Sequence, residues 1–308
     1  MTLISSTALL PGQSARVDMK ALSDGGATVE VTLIEAEPPK LPPLLIGIEG
    51  PNGGETQKQA VGFPDMCGAR DFGVKRSGES QPSLTAHGTG KLKDLPATCE
   101  PWCSFKHTDI ERVKPWLDTM PPVEKSYASY KLTYHHEPHG DAGMTPALYR
   151  PRLARLVQIV DGHPNRHRIT GVGPIVTGYW IREKKGNPLD WWVPGASVYG
   201  VDIYDPPDAD HNWSPAEMFD PVLDRLYETL PEDVEICIPE YGRHFVTGQR
   251  RADQFVADLE YLASEHPRVT RLNFYCNPVD HPQFYFPATS PEADVARRWM
   301  AAAAAARR

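Results

Sequence analysis

The sequence lacks any run of 18 or more consecutive apolar residues, any excess of basic residues, and an abundance of cysteine. Without such an apolar run, no membrane-spanning helix is expected. Lys and Arg number 32 against 40 Asp and Glu, which gives a formal charge of −8. A nucleic-acid-binding surface usually shows as a basic excess, so we expect neither nucleic acid nor membrane insertion. A neutral polymer such as a polysaccharide is compatible with this charge.

The five cysteines are an odd number, which argues against a disulfide scaffold. Cys99 and Cys103 lie four positions apart, but zinc would need two more ligands and no second Cys pair supplies them. Residues 1–11 have no basic segment and only a short apolar run, which is not typical of a Sec signal peptide. We therefore expect no metal, and the composition assigns no compartment.

The composition of the 308 residues fits one large domain at least as well as two small ones. Hydrophobic residues make up 40% and charged residues 23%, so the chain is able to bury a core. Seven Trp and 12 Tyr fit a protein that stacks sugar rings on aromatic planes, although aromatic residues are also ordinary core residues.

Residues 1–43 differ in pattern from the rest and predict a β-rich arm with a proline-rich linker. Residues 15–19 and 27–34 alternate between apolar and polar side chains, and the Asp-Gly-Gly of residues 24–26 indicates a turn between them. Four prolines within residues 38–43 then break the pattern. We interpret the segment as a β-hairpin followed by a linker.

Residues 44–308 alternate between strand-like and helix-like segments. The strand-like segments are residues 44–49, 71–76, 102–105, 129–137, 169–177, 197–204, 234–240 and 269–275. Helices are indicated after several of them, one beginning at Thr145-Pro146 with an apolar face of Leu148, Leu153, Leu156, Val157 and Val160. Another begins at Ser214, whose spacing to Glu217 is that of a capping box. Eight strands separated by helices predict an α/β fold, a (β/α)8 barrel.

Two glutamates stand where such a barrel carries its chemistry. Glu137 ends the predicted fourth strand and Glu240 the predicted seventh. Because the carboxyl ends of barrel strands converge on one face, these side chains are expected to face each other. Retaining glycosidases use two carboxyl groups about 5–5.5 Å apart, one as nucleophile and one as acid/base. The pattern therefore predicts a retaining glycoside hydrolase.

Four motifs resemble those of clan A glycoside hydrolases. Residues 133–138 (Thr-Tyr-His-His-Glu-Pro) resemble the acid/base motif, and the histidine before the glutamate is most similar to family 26, the β-mannanase family. Residues 238–242 (Ile-Pro-Glu-Tyr-Gly) are similar to the nucleophile motif and residues 199–204 to the sixth-strand motif. Residues 102–106 resemble the third strand of actinobacterial relatives.

This resemblance implies roles for individual residues. Glu137 would be the acid/base and Glu240 the nucleophile, His136 would flank the sugar beside the cleaved bond, and Tyr204 would touch substrate or nucleophile. Trp102 and Tyr241, within the same motifs, are predicted to contact substrate.

Further candidates come from their positions after strands. Trp191 and Trp192 lie in a loop of the predicted active face and form either a sugar platform or a cap on the barrel. Arg76, at the end of the predicted second strand, is expected to hydrogen-bond the nucleophile or to lie in solvent. Asp141, Asp202 and Asp205 are candidates for binding sugar hydroxyls.

Two other functions compete with a glycosidase. His135, His136 and His139 around Glu137 suggest a metal-dependent hydrolase, but their spacing is not the zinc-protease pattern and Pro138 is incompatible with the helix which that pattern needs. We expect no cofactor. The second competitor is an inactive barrel that binds carbohydrate or serves as a structural part of an assembly.

The sequence also predicts the partner of this activity and where it takes place. The expected partner is a polysaccharide or cell-wall glycan, of unassigned sugar and linkage. A glycan-degrading enzyme without a visible signal peptide acts inside the cell or is carried on a particle, such as the tail of a bacteriophage that infects actinobacteria. Residues 1–40 would then dock to other virion tail proteins.

Overall fold

The structure is a computed structural model that describes residues 13–21, 27–35, 44–49, 63, 65, 68–71, 74–76, 79–81, 99–106, 109–120, 127–141, 143–205, 213–244, 246–278 and 281–306. The chain divides into two units, Met1–Leu41 and Pro42–Arg308. Each unit is described by itself.

The first unit contains the predicted hairpin. Strand β1 (Gln13–Ala21) pairs antiparallel with β2 (Ala27–Glu35), in a register that runs from Gln13 opposite Glu35 to Ala21 opposite Ala27. The alternating pattern of both segments thus formed the strands it predicted. The predicted turn at residues 24–26 and the predicted linker at residues 38–43 lie outside the described residues.

The second unit is built on a parallel sheet. Its described strands are β3 (Leu45–Glu49), β4 (Gly68–Asp71), β5 (Val74–Arg76), β6 (Glu79–Gln81), β7 (Glu100–Phe105), β8 (Tyr130–Tyr134), β9 (Ile169–Val172), β10 (Ile175–Thr177), β11 (Val198–Tyr204), β12 (Glu235–Gly242) and β13 (Val269–Tyr275). The neighbours run in the order β10, β11, β12, β13, β3, β4, β7, β8, β9, and all these pairs are parallel. Neighbouring parallel strands that follow one another in the chain are the pattern of a (β/α)8 barrel, which confirms the predicted fold class.

The predicted fifth strand is divided into two pieces. β9 pairs with β8 and β10 pairs with β11, and Gly173-Pro174 separates them. Pro174 has no N–H to donate to a strand ladder, which accounts for the break. The Gly173 amide donates to Leu132 O at 3.1 Å, and Val172 O accepts from the Ser197 amide at 3.0 Å. The chain here therefore bridges the fourth and sixth strand positions of the barrel.

The predicted second strand, residues 71–76, was wrong in its position. The barrel strand is β4, which ends at Asp71, whereas β5 pairs antiparallel with β6 in a separate two-stranded sheet. Arg76 therefore ends a hairpin strand and not a barrel strand.

The helices follow the strands. The described α-helices are α1 (Val113–Asp118), α2 (Pro146–Asp161), α3 (Gly178–Arg182), α4 (Pro215–Thr229), α5 (Gln249–Glu265) and α6 (Pro291–Ala306), and none is long and apolar enough to cross a membrane. Thr145 caps α2, and Ser214 with Glu217 forms the predicted capping box of α4. On α2 the predicted apolar face is confirmed except for Leu148, which is half exposed.

The barrel interior has an apolar layer and a charged layer. Trp102, Ile175, Val198 and Cys237 form the apolar layer. The charged layer lies at the amino ends of the strands, where Arg271 forms an ion pair with Glu100 at 2.5 Å and Lys131 forms one with Glu235 at 2.5 Å. Burial acts to raise the pKa of Glu100, but Arg271, Lys131 and two hydroxyl donors outweigh it, so the pKa is lowered. The amino half of the barrel is thus filled by paired charges, which leaves the carboxyl half for a site.

Gly173 allows the close approach between β9 and β11, and its replacement tests the barrel closure. A Cβ on Gly173 would lie 1.6 Å from Val198 O, which is backbone and has no rotamer to move. We expect Gly173→Ala to lower the free energy of unfolding by about 1–3 kcal/mol in urea denaturation. Gly162→Ala is the control, because its Cβ would have Gln158 O as its nearest neighbour at 3.4 Å. Equal stability of the two variants would contradict the close approach.

Candidate active site

Glu240 lies on β12 at an irregularity of the sheet. β12 carries one residue more than β11 between the pairs Gly200–Cys237 and Ile203–Tyr241. It also carries one residue more than β13 between the pairs Ile238–Leu272 and Tyr241–Phe274. Such a β-bulge inverts the alternation of side chains beyond it. Cys237 therefore faces the barrel interior, whereas Tyr241, four residues later, packs outward against the helices.

At the bulge, the Glu240 carboxylate lies beside a cluster of aromatic side chains. Tyr204, at the end of β11, donates its hydroxyl to Glu240 Oε2. The Tyr204 ring contacts Tyr275 at the end of β13, with centroids 5.7 Å apart, and Phe284 at 5.0 Å. Asn277 donates to the Tyr275 hydroxyl at 2.9 Å. The predicted contact between Tyr204 and Glu240 is present, and the carboxylate is held by a donor that is itself packed.

Tyr241 is not part of this surrounding, which corrects its prediction as a substrate contact. Its ring is fully buried among Phe219, Phe255 and Phe274, and its hydroxyl bonds Asp258 on α5. Tyr241 therefore anchors β12 to the helical layer.

Glu137 lies in a short loop after β8. The strand ends at Tyr134, three residues earlier than predicted, and Glu137 begins a 3-10 turn over Pro138–Gly140. Its backbone is left-handed, with φ 51° and ψ 48°, and its amide donates to Ile175 O of β10 at 2.8 Å. Glu137 is half-buried at the carboxyl end of the sheet, the end to which Glu240 also belongs.

His136 is tied to the neighbouring strand. Its Nδ1 lies 2.7 Å from the Ser104 hydroxyl oxygen on β7, and its amide donates to the same oxygen at 3.4 Å. Ser104 faces the interior, two residues after Trp102 on the same strand. The structure therefore brings Ser104, His136 and Glu137 together.

The three tryptophans that were predicted to contact substrate differ in how far they are buried. Trp102 is fully buried in the apolar layer of the interior, so it has no surface for a sugar, and its prediction as a substrate contact is corrected. Trp191 is almost fully buried against Tyr149, at 5.3 Å between centroids, and caps the barrel wall rather than forming an open platform. Trp192 is half-buried, and its role stays a prediction, as does that of Arg76.

Several site residues were not predicted as such. The Lys106 ammonium and His135 Nε2 both contact Asp141 Oδ2, next to Glu137. His244 Nδ1 lies 2.5 Å from Asp205 Oδ1, just beyond β11 and β12. Asp141 and Asp205 were predicted to bind sugar hydroxyls, which stays a prediction, and their contacts with Lys106, His135 and His244 were not predicted. Their position after a strand was the available signal, and their partners come from distant segments.

His139 is the third histidine of this loop, and its titration is testable. Its Nε2 lies 2.8 Å from the Thr177 hydroxyl, and its ring lies between Trp180 and Trp191, at 5.6 and 6.4 Å. Burial lowers the pKa of His139 from 6.5 to about 4. Because the unfolded chain takes up this proton near pH 6.5, stability is expected to fall as the pH falls from 6.5 to 4.

The measurement is a two-dimensional NMR titration together with urea denaturation across this pH range. His139→Gln should lose the His139 cross-peak and part of the pH dependence of the free energy of unfolding. A His139 midpoint near 6.5 in the folded protein would contradict the burial.

A metal centre finds no support in this part of the molecule. Within the described ranges, no group of three or more His, Cys, Asp or Glu side chains is arranged to hold a metal ion. The three histidines around Glu137 are instead directed to Asp141, Ser104 and Thr177.

Comparison with known proteins shows which solved structures share this fold. No protein-family model and no curated protein matches the sequence. Among solved structures, a point mutant of a GH128 (subgroup I) endo-β-1,3-glucanase from Amycolatopsis mediterranei, in complex with laminaripentaose, matches at a TM-score of 0.52 and 12% identity. The match covers 82% of this chain and 98% of the glucanase. The chain shares its barrel fold with glycoside hydrolases.

Two further structures agree with this glycoside hydrolase fold. GH26C from Muricauda sp. matches at a TM-score of 0.52 and 10% identity, over 85% of this chain and 86% of that one. A glucosidase from Croceicoccus marinus matches at 0.52 and 10% identity, over 87% and 69%. In such barrels the active site lies at the carboxyl ends of the strands, where Glu137 and Glu240 are found.

Proposed function

We propose that this protein is a retaining glycoside hydrolase that cleaves a polysaccharide or cell-envelope glycan, with Glu240 as nucleophile and Glu137 as acid/base. One observation carries the proposal. The bulge in β12 presents Glu240 to a hydroxyl donor, Tyr204, at the carboxyl end of a barrel whose fourth strand leads directly to Glu137. A fixed carboxylate nucleophile and a second carboxyl group at the same barrel face are what retention requires.

The reaction proceeds in two displacements. Glu240 attacks the anomeric carbon and forms a C–O bond to it, while the glycosidic C–O bond breaks and the leaving oxygen takes a proton from Glu137. Glu137, now a carboxylate, then removes a proton from water. The water oxygen attacks the anomeric carbon and releases Glu240, so both carboxyl groups return to their starting states.

The substrate class is chosen from the neighbours and the aromatic surrounding. A similar glucanase structure in complex with laminaripentaose makes β-1,3-glucan the first polymer to test, and the resemblance of residues 133–138 to the β-mannanase family adds β-mannan. Tyr275 and Phe284 are buried beside Tyr204 and pack against its ring, next to the proposed nucleophile.

The test is hydrolysis followed by NMR. Laminarin, β-mannan and actinobacterial cell-wall glycan are incubated with the protein, and new reducing ends are measured. For a polymer that is cleaved, ¹H NMR records the anomer formed first. Retention supports the double displacement, inversion refutes it, and the absence of cleavage with measurable binding favours the inactive barrel.

Tyr204→Phe removes one hydrogen bond to a charged oxygen without removing the ring. Such a bond contributes about 1.5–3 kcal/mol, so kcat/KM is expected to fall by roughly 10- to 100-fold. Steady-state kinetics on the cleaved polymer measure this, and an unchanged melting temperature shows that the fold is intact. Tyr285→Phe, an exposed tyrosine, is the control and should leave kcat/KM unchanged. An active Tyr204→Phe would mean that Glu240 needs no such donor.

We also propose that residues 1–40 dock the barrel to a larger assembly, such as a phage tail. The support is that β1 and β2 pair with each other and belong to a unit distinct from the barrel's. Deletion of residues 1–40 should abolish assembly while the barrel melts at the same temperature. Unchanged assembly would refute the docking.

A further inference from the structure

The loop that carries Glu137 holds two residues in a backbone conformation that side chains disfavour. His135 and Glu137 have φ values of 48° and 51°, and neither is glycine. Residues with a Cβ adopt this left-handed region infrequently, and it persists where surrounding contacts enforce it. Residues 135–141 therefore need contacts that hold them in this shape.

One carboxylate closes this loop. Asp141 Oδ2 accepts from His135 Nε2, at the opposite end of the loop, and from the Lys106 ammonium, which follows β7. We call Lys106, His135 and Asp141 the Asp141 clamp. The side chains of Lys106 and His135 are only 15% and 11% exposed, whereas the Asp141 side chain is 40% exposed, so a partly exposed carboxylate accepts from two largely buried donors. The clamp joins both ends of the loop to each other and to the neighbouring strand.

Backbone bonds fix the loop at two further points. The His135 amide donates to Phe105 O at 2.7 Å, next to Lys106, and the Glu137 amide donates to Ile175 O at 2.8 Å. These bonds anchor the loop backbone to β7 and β10, and His139 Nε2 adds a contact with the Thr177 hydroxyl of β10 at 2.8 Å. The Asp141 carboxylate ties residue 141 back to His135 at the start of the loop.

We propose that Lys106, His135 and Asp141 are positioning residues that hold Glu137 where it donates its proton to the leaving oxygen. The inference rests on the proposed function, because it assigns the clamp to the acid/base step. A general acid must lie within hydrogen-bond reach of the oxygen that it protonates, and a displacement of about 1 Å is costly to the rate. The clamp acts through Glu137 and does not touch the reacting atoms.

The experiment compares Asp141→Ala, Asp141→Asn and Lys106→Met with the full-length protein. Hydrogen exchange read by mass spectrometry follows the amides of residues 135–141. Kinetics use two substrates: the polymer that the protein cleaves, and the 2,4-dinitrophenyl β-glycoside of the sugar that it releases. Dinitrophenolate leaves without protonation, so its release does not need a positioned acid. Asp161→Ala is the control, since it breaks the exposed ion pair between Asp161, the last residue of α2, and Arg166 beyond it.

In Asp141→Ala, exchange over residues 135–141 is expected to rise, and kcat on the polymer to fall by at least about 10-fold. Dinitrophenyl release in the first, glycosylation step should change by less than about 3-fold, because it bypasses the general acid. Lys106→Met should act in the same direction, and Asp141→Asn, which keeps an acceptor, should be milder. Asp161→Ala should resemble the wild type in both measurements.

Two outcomes would overturn the clamp: unchanged exchange in Asp141→Ala, or an unchanged ratio of the two rates, whether both rates fall equally or neither falls. If the wild-type protein cleaves no glycan, the proposed function fails, and the assignment to proton donation fails with it. Exchange in Asp141→Ala then still decides whether the clamp holds the loop.

Discussion

Replacing Glu240 by glutamine is expected to lower kcat by about four orders of magnitude or more on the polymer that the protein cleaves. The amide is nearly the same size as the carboxylate and can still accept from Tyr204, but it is not a nucleophile at the anomeric carbon. The fold should be intact, because the hydrogen bond and the packing persist. Steady-state kinetics and thermal melting are the two measurements.

The matched control is Glu228→Gln, an exposed glutamate on α4, which should keep full activity. Azide then separates the roles of the two site glutamates. In Glu137→Ala, azide should restore turnover of the 2,4-dinitrophenyl glycoside and give a glycosyl azide of retained configuration, because dinitrophenolate leaves without protonation and the intermediate on Glu240 still forms. In Glu240→Ala, azide should attack directly and give the inverted azide. Residual activity of Glu240→Gln near the wild-type level would refute the assignment of the nucleophile.

Replacing Arg243 by methionine is expected to lower the free energy of unfolding by about 3–5 kcal/mol, because it leaves a buried carboxylate without its charge partner. Arg243 Nη2 and Nε donate to Asp258 Oδ1 and Oδ2 at 2.6 and 2.8 Å, and both side chains are almost fully buried. Tyr241 donates to the same carboxylate. The pair joins the end of β12, and so Glu240, to α5.

The penalty should depend on pH in a defined direction. Burial already raises the pKa of Asp258 in the presence of Arg243. Without the arginine that pKa rises further, so the carboxyl group is neutral at low pH and costs little there. The loss of stability should therefore grow as the pH rises through the folded pKa. Urea denaturation at pH 5 and pH 8 measures the difference.

The control is Arg155→Met. Arg155 and Glu111 form a similar two-bond pair, at 2.5 and 3.0 Å, but both side chains are about half exposed. Water replaces the lost partner there, so the midpoint of unfolding should not change measurably. If the two arginine variants lose the same stability, burial is not what makes the Arg243–Asp258 pair important.

Two of the predicted site contacts show where sequence reasoning reached its limit. Because Glu240 and Tyr241 are neighbours in the predicted nucleophile motif, both were predicted to face the substrate. A strand sends neighbouring side chains to opposite faces, and the bulge in β12 decides which of the two faces the interior. Pro239, which has no N–H for the strand ladder, was the one local sign of an irregularity in residues 234–242, but it does not say which way the following side chains face. Trp102 shows the same limit, because the sequence pattern around a tryptophan on a barrel strand is the same whether its side chain packs the interior or lines a site.

The sequence by itself determined the alternation of strands and helices, the caps of α2 and α4, and the location of Glu137 and Glu240 near the carboxyl ends of two strands, although not the residue at which each strand ends. These features depend on periodicity and on capping chemistry within a few residues, which a single chain displays directly. Tertiary structure alone decided the break at Gly173-Pro174, the β12 bulge and the Asp141 clamp. Pro174 and Pro239 mark where a strand ladder loses a donor, but each feature also depends on pairing between segments distant in sequence, which the local pattern does not display.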